Sequence, residues 1–353
     1  VELIMSFKIG NRQVGLGFPC FIVAELSANH GGSLDRAKQI IDSIKNTGAD
    51  AVKLQTYTAE TITLNCESSD FYIPSDNPWS SKKKFYNLFK DAYLPWEWHR
   101  EIFEYAKSKG LIIFSSPFDI SAVNLLEELD CPVYKIASPE ITDIPLIMAV
   151  AKTKKPVIIS TGVANKDDID LAIKTLEEHG CDEYAILKCT SFYPAPPESI
   201  NLKSLQLINE TYKCPVGLSD HTIGNEIPIA AVALGANIIE KHFIDDNNFE
   251  THDSFFSSDE EQFKNLVNHI RNVELSLGVK SLDMDSFSQK NIWSRRSLYP
   301  SKSIKKGEVL NSTNLQSVRP YYGIHPRHYF DLLGKRAIRD IVFGERIQLE
   351  DFE

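Results

Sequence analysis

No run in this chain is apolar for long enough to cross a membrane, and no secretory leader opens it. A cytoplasmic protein is expected. Cysteine is sparse and unpatterned: Cys20, Cys66, Cys131, Cys181, Cys189 and Cys214 are scattered, with no C-x-x-C among them. That spacing speaks against a disulfide framework and fits free thiols in a reducing compartment. Basic residues are in deficit, 38 against 48 acidic ones, for a net charge of −10. A nucleic-acid partner is therefore not expected, although a local basic pocket can still hold a small anion. No G-x-G-x-x-G follows the first apolar run, which weakens the case for a doubly wound open sheet. Met5 fits a natural first residue, with Val1 to Ile4 as additions.

What is present is rhythm. Eight short apolar runs alternate with amphipathic stretches between Cys20 and Gly278. The runs are Phe21–Ala24, Ala51–Leu54, Leu111–Phe114, Val133–Ile136, Val157–Ile159, Tyr184–Leu187, Pro215–Leu218 and Asn237–Ile239. Strand then helix, eight times over, predicts an α/β protein of the (β/α)8 (TIM) barrel type. One interruption, Cys66 to Trp96, is polar and aromatic, with lysines at 82–84. A long insertion after a strand is expected to be an active-site loop with a short helix of its own. The barrel is assigned to 1–282, a polar linker to 283–290 and a second, small domain of short strands and turns to 291–353. A unit that small has little core and is expected to lean on the barrel or on another subunit.

In such a barrel the chemistry lies at the C-terminal ends of the strands. In strand order those ends carry Glu25; Lys53; Ser116; Lys135 with Ser138 and Glu140; Ser160; Lys188 to Ser191 with Tyr193; Ser219 and His221; and His242. Lysines inside barrel strands are costly unless they meet an anion. Small hydroxyls and backbone amides suit phosphate or carboxylate oxygens. His221 and His242, on consecutive strand tips, form a candidate metal pair, with Glu25 near enough to join or assist it. The plainer alternatives are that each histidine caps a strand, that the lysines are salt-bridged within the barrel, and that the serines cap helices. Taken together the ends predict a barrel enzyme for a small phosphorylated anion, with a divalent metal.

The same ends spell AELSANHGGS at 24–33, ADAVKLQTYT at 49–58, YKIASPE at 134–140, STG at 160–162, KCTSFYPAP at 188–196, GLSDHT at 217–222 and IEKHF at 239–243. In that order they resemble the sialic acid synthase (NeuB-like) family over essentially the whole chain. Arg319 to Pro326 resembles its C-terminal antifreeze-like (SAF) domain. The resemblance implies condensation of phosphoenolpyruvate with an N-acylamino sugar to give a nine-carbon 2-keto acid and phosphate. It places Lys53, Ser116, Lys135, Ser138, Ser160 and Ser219 on phosphoenolpyruvate. It makes His221 and His242 ligands of a manganese, cobalt or magnesium ion, with Glu25 beside it as base or ligand. It puts Glu140, Tyr193 and Asp253 in the sugar site, and Arg319 there too, donated by the small domain of a second subunit in a swapped homodimer.

Variant spellings narrow the branch. Sialic and legionaminic acid branches tend to read E-A-G-x-N-H and carry a G-P-D-H-like stretch after the eighth strand. Here Glu25-Leu26-Ser27-Ala28-Asn29-His30 and Glu250 to Ser257 stand instead, with Ser191 where sialic acid synthases have asparagine. The expected sugar is 2,4-diacetamido-2,4,6-trideoxy-L-altrose, in a pocket less polar where relatives meet the sugar's terminal hydroxyls. The competing class is a non-catalytic sugar- or anion-binding protein that kept the barrel. Such a protein has no need of Glu25, both histidines and both lysines together.

Overall fold

The computed structural model describes residues 6–353; Met5, read above as a first residue, lies outside the described residues. A hairpin absent from the sequence expectation comes first, β1 (Ser6–Ile9) against β2 (Arg12–Gly15). Its two-residue turn, Gly10-Asn11, uses a positive φ of 57° at Gly10, as tight hairpins require. Phe7, Ile9 and Val14 join the core of the barrel that follows.

The eight expected strands are all present: β3 (Phe21–Glu25), β4 (Ala51–Thr56), β5 (Ile112–Pro117), β6 (Tyr134–Ile136), β7 (Val157–Ser160), β8 (Tyr184–Cys189), β9 (Val216–Asp220) and β10 (Ile238–His242). They pair in parallel and in order, and β10 closes on β3. Closure fixes the neighbours that matter: His242 lies opposite Glu25, Glu25 opposite Lys53, and Glu240 opposite Ser219. Gly217 is required inside β9, because a Cβ there would stand 2.3 Å from the Ile238 carbonyl oxygen.

The helix Leu34–Thr47 illustrates how the outer layer is specified. Ser33 caps it by accepting from the Arg36 N–H, Gly48 ends it at φ 82°, and Ile40, Ile41 and Ile44 recur at helical spacing on the buried face. Each of these isoleucines contributes about 2–3 kcal/mol of apolar burial. The insertion carries its own helix, Phe85–Ala92, and is tied across the barrel mouth by the Trp79 indole N–H, which donates to the His252 carbonyl at 2.7 Å. Its lysine run is a surface feature: Lys82 pairs with Asp91 and Lys84 with Glu67.

The chain divides into two compact units between Gly278 and Val279. Within 283–290 one helical turn, Ser286–Gln289, is capped by Asp285. The second unit holds one antiparallel pair, β11 (Ser297–Pro300) with β12 (Leu315–Val318), over a core that includes Leu298, Ile304, Leu310, Leu315, Ile341 and Phe352. No helix among the described residues is long and apolar enough to cross a membrane.

Candidate active site

At the C-terminal ends of the strands lies a cleft lined by Glu25, Lys53, Lys135, Ser138, Ser160, Ser219, His221, Glu240 and His242, among others. Lys53 Nζ stands 2.9 Å from Glu25 Oε2 and 2.8 Å from Glu240 Oε1. Burial works against the Lys53 charge, but the two carboxylates outweigh it and its pKa is raised. Burial likewise opposes ionisation of Glu25, yet His242 and Lys53 hold its carboxyl well below the usual range. Lys135 is less well served. It donates to the Ile136 carbonyl at 3.2 Å, and its nearest carboxylate, Glu240, is 3.7 Å away. Burial wins there, and the pKa of Lys135 is lowered despite the pull of Glu240.

Several buried hydroxyls at the neighbouring strand ends are equally unspent. The buried Oγ atoms of Ser116, Ser160 and Ser191 have no partner among the described residues. Ser138 Oγ accepts from the Gly162 N–H at 2.9 Å. A Cβ at Gly162 would stand 2.2 Å from Ser191 Oγ and 2.7 Å from Ser138 Oγ, so glycine keeps this cradle open. Unpaired buried donors beside a buried ammonium are what an anion would satisfy.

The histidines come together as expected, with ring centroids 5.4 Å apart. His221 Nδ1 lies 2.9 Å from the Thr190 carbonyl, which fixes a proton on Nδ1 and leaves Nε2 as a ligand atom. His242 Nε2 is 3.3 Å from Glu25 Oε2, and its buried Nδ1 has no hydrogen-bond partner. No group of three or more His, Cys, Asp or Glu among the described residues is arranged to hold a metal. The two imidazoles alone still fit an ion that keeps its other positions open for water or substrate.

A second cavity of about 280 Å³ opens outward from the cleft and shares Gln55, Ala137, Pro139, Tyr193 and His242 with it. Asp253 lines it and is held in place by the Ser27 hydroxyl; Ser27 adopts a left-handed backbone at φ 49°, a strained conformation for a non-glycine residue. Tyr193 packs on His221 at 4.4 Å between centroids. The insertion contributes Asn77, Trp79, Phe85, Leu88, Phe89 and Ala92 to the wall.

Ser116 and Glu140 line neither the cleft nor the cavity, and Arg319 is exposed on the second unit. The Glu140 Oε2 is buried without a partner, and burial pushes its pKa up to about 7, against the pull of its own backbone N–H and of Lys135. Its folded value thus lies above the unfolded one of 4.5. Between those two values the unfolded chain has shed a proton that the folded chain keeps, so stability falls as pH rises through the window. Glu140→Gln is expected to remove that slope, gaining on wild type by on the order of 3 kcal/mol from pH 4.5 to 7 in urea unfolding. Parallel stability curves would show that Glu140 ionises freely.

Glu240 is the residue that the strand-end expectation missed. It bridges Lys53 and Ser219 (3.0 Å), with Lys135 near by, and it lines the cleft. The signal was present: Glu240 and His242 share the inward face by the two-residue period of a strand, whereas Lys241 between them pairs with Asp220 at 2.6 Å.

Buried cations and hydroxyls lacking full partners, at the C-terminal ends of barrel strands, define an enzyme acting on a small anion. The chain belongs to the NeuB family, whose model matches residues 40–281, and the SAF domain model matches residues 295–353. It is 46% identical over 332 residues to the pseudaminic acid synthase of Campylobacter jejuni, covering 94% of this chain and 96% of that one. It is 43% identical over 336 residues to the pseudaminic acid synthase of Helicobacter pylori, covering 95% and 98%. Among solved structures it is similar to the N-acetylneuraminic acid synthetase of Leptospira borgpetersenii in complex with citrate, with a TM-score of 0.72 and 32% identity over 81% of this chain and 95% of that one.

Proposed function

We propose that the protein is a pseudaminic acid synthase, joining C3 of phosphoenolpyruvate to the aldehyde carbon of 2,4-diacetamido-2,4,6-trideoxy-L-altrose. Water adds at C2 of the former enol phosphate, and phosphate leaves by C–O cleavage. The observation that carries the anion half of this reading is Lys135, a fully buried ammonium with an incomplete set of partners in a cleft that it shares with the unpaired Ser160 hydroxyl. The sugar rests on the likeness to the pseudaminic acid synthases.

In this reading Lys53 and Lys135 balance the carboxylate and phosphate charge throughout, and Ser116, Ser138, Ser160 and Ser219 fix the oxygens. Glu25, 3.3 Å from His242, serves in this reading either as the base for the attacking water or as a ligand beside the ion. Tyr193 and Asp253 line the cavity for the sugar, with Glu140 assigned there by family resemblance alone. His221 and His242 would hold a manganese, cobalt or magnesium ion, which when bound supplies Lewis-acid polarisation of the aldehyde oxygen. The proposal extends to assembly: a homodimer in which the small unit of one chain brings Arg319 to the sugar site of the other.

Phosphate release should require both phosphoenolpyruvate and the diacetamido sugar. It should fall by about a hundredfold or more on chelation and return with manganese. Preference for N-acetylmannosamine would move the protein to the sialic acid branch. Full turnover after exhaustive chelation, with no metal by elemental analysis, would remove the ion. Sugar binding without turnover would leave a binding protein.

A further inference from the structure

The outer cavity has two unlike ends. At one, Tyr193, His221, His242 and Phe256 form an aromatic cluster around the histidines, with Trp79 against Tyr193 at 5.5 Å. At the other, Tyr57 packs edge-on against Phe89 at 5.7 Å and Phe118 at 5.2 Å, and Phe85 stacks on Phe89 at 6.2 Å. Among the described residues no ring contact joins the two clusters. Leu88 and Ala92 complete the second end.

The reaction orients the sugar between them. Its aldehyde must lie by Glu25 and the histidines, and an open six-carbon chain, five C–C bonds of about 1.5 Å in a zigzag, spans about 6 Å from C1 to C6. C4 to C6 therefore fall toward the second end. That end offers four aromatic rings, two aliphatic side chains and the hydroxyl of Tyr57; the cavity's polar lining also includes Gln55, Asn77, His252 and Asp253. Tyr57 is only 4% exposed, and its hydroxyl makes no hydrogen bond among the described residues.

We infer that Tyr57, Phe85, Leu88, Phe89, Ala92 and Phe118 form a subsite selecting the distal half of the sugar: the rings enclose the C6 methyl and the C4 acetamido methyl, and the Tyr57 hydroxyl donates to the acetamido carbonyl. This rests on the proposed reaction and names the residues that set its specificity. The match is one of kind. The distal half of the trideoxy sugar presents two methyl groups, the C4 amide with its carbonyl acceptor, and one hydroxyl at C5. N-acetylmannosamine shares the C5 hydroxyl but has hydroxyls at C4 and C6 in place of the acetamido group and the methyl, and unpaired buried polar groups discriminate strongly.

The test compares kcat/KM for the trideoxy sugar with that for its 6-hydroxy analogue and for its 4-hydroxy analogue. Wild type should prefer the trideoxy sugar over the 6-hydroxy analogue by about tenfold to a hundredfold. Phe89→Asn and Phe89→Tyr, at a half-buried position, should each cut that ratio about tenfold, with KM for phosphoenolpyruvate within about twofold of wild type. Phe89→Tyr keeps the ring, so it carries the test if Phe89→Asn folds poorly. Tyr57→Phe should cut the preference for the 4-acetamido over the 4-hydroxy sugar by a similar factor, leaving the 6-position ratio in place. Ratios unmoved in all three variants, in a wild type that does prefer the trideoxy sugar, would overturn the subsite alone. A wild type preferring N-acetylmannosamine would overturn the reaction and the subsite with it.

Discussion

Lys53→Met is expected to lose phosphoenolpyruvate turnover by about two to three orders of magnitude and to destabilise the barrel as well. Adding Glu240→Gln is expected to restore the stability but not the turnover. Lys53 is buried between two carboxylates at 2.8 and 2.9 Å, so the structure contains the salt bridge that the sequence left as an alternative. Removing the ammonium strands Glu25 and Glu240 side by side in a dry cleft, a loss of about 3–5 kcal/mol of the kind seen when one partner of a buried pair is deleted. Neutralising Glu240 relieves that repulsion while keeping an oxygen for Ser219, so the double variant separates folding from substrate binding. Lys135→Met should cost less stability, because Lys135 has no carboxylate closer than 3.7 Å. Urea unfolding and phosphate-release kinetics, measured on the single and double variants, decide the matter. If the double variant recovers turnover together with stability, Lys53 serves the barrel and not the substrate.

The barrel was legible because each of its strands is buried on both faces, and a buried parallel strand is a nearly continuous apolar run. Strand-end polarity then pointed at the site through the rule that barrel chemistry sits at the C-terminal ends. The hairpin Ser6–Gly15 was missed, although Phe7 and Ile9 alternate with polar neighbours and Gly10-Asn11 is turn chemistry. Glu240 was missed for a different reason. Its significance comes from Lys53, 187 positions away in the chain, and only closure of β10 on β3 brings the two within 2.8 Å.

The insertion marked itself as a break in rhythm, yet nothing in its spelling said that Phe85 and Phe89 line the cavity while Lys82 and Lys84 pair at the surface. Phe85, Leu88, Phe89 and Ala92 do recur at helical spacing, but what that face meets depends on contacts far off in the chain, and Lys82 and Lys84 precede the helix on backbone with no period to read. In the small unit the short apolar runs Val309-Leu310 and Ala337-Ile338 make single bridges, to Arg336 and Phe352. Turns at Gly307, Gly334 and Gly344, all with positive φ, cut these runs before a ladder can grow.

Mixing two nearly inactive proteins, Arg319→Ala and Glu25→Ala, is expected to restore activity once their subunits exchange. Arg319 is exposed on a unit whose core is small, joined to the barrel unit through a polar stretch. Family resemblance places its counterpart in a sugar site, where a guanidinium would hold an acyl carbonyl by a charge-assisted hydrogen bond. If that site belongs to the other chain, each heterodimer has one site with both residues intact and one with both lost. Random exchange then gives heterodimers as about half of all dimers, and about a quarter of wild-type site activity returns. If Arg319 serves its own barrel, every heterodimer site carries one lesion and the mixture stays as inactive as its parents. Phosphate release before and after exchange distinguishes the two, with native mass spectrometry of isotopically labelled chains confirming that heterodimers formed. An inactive mixture containing heterodimers, or a fully active wild-type monomer, would sink the swapped dimer.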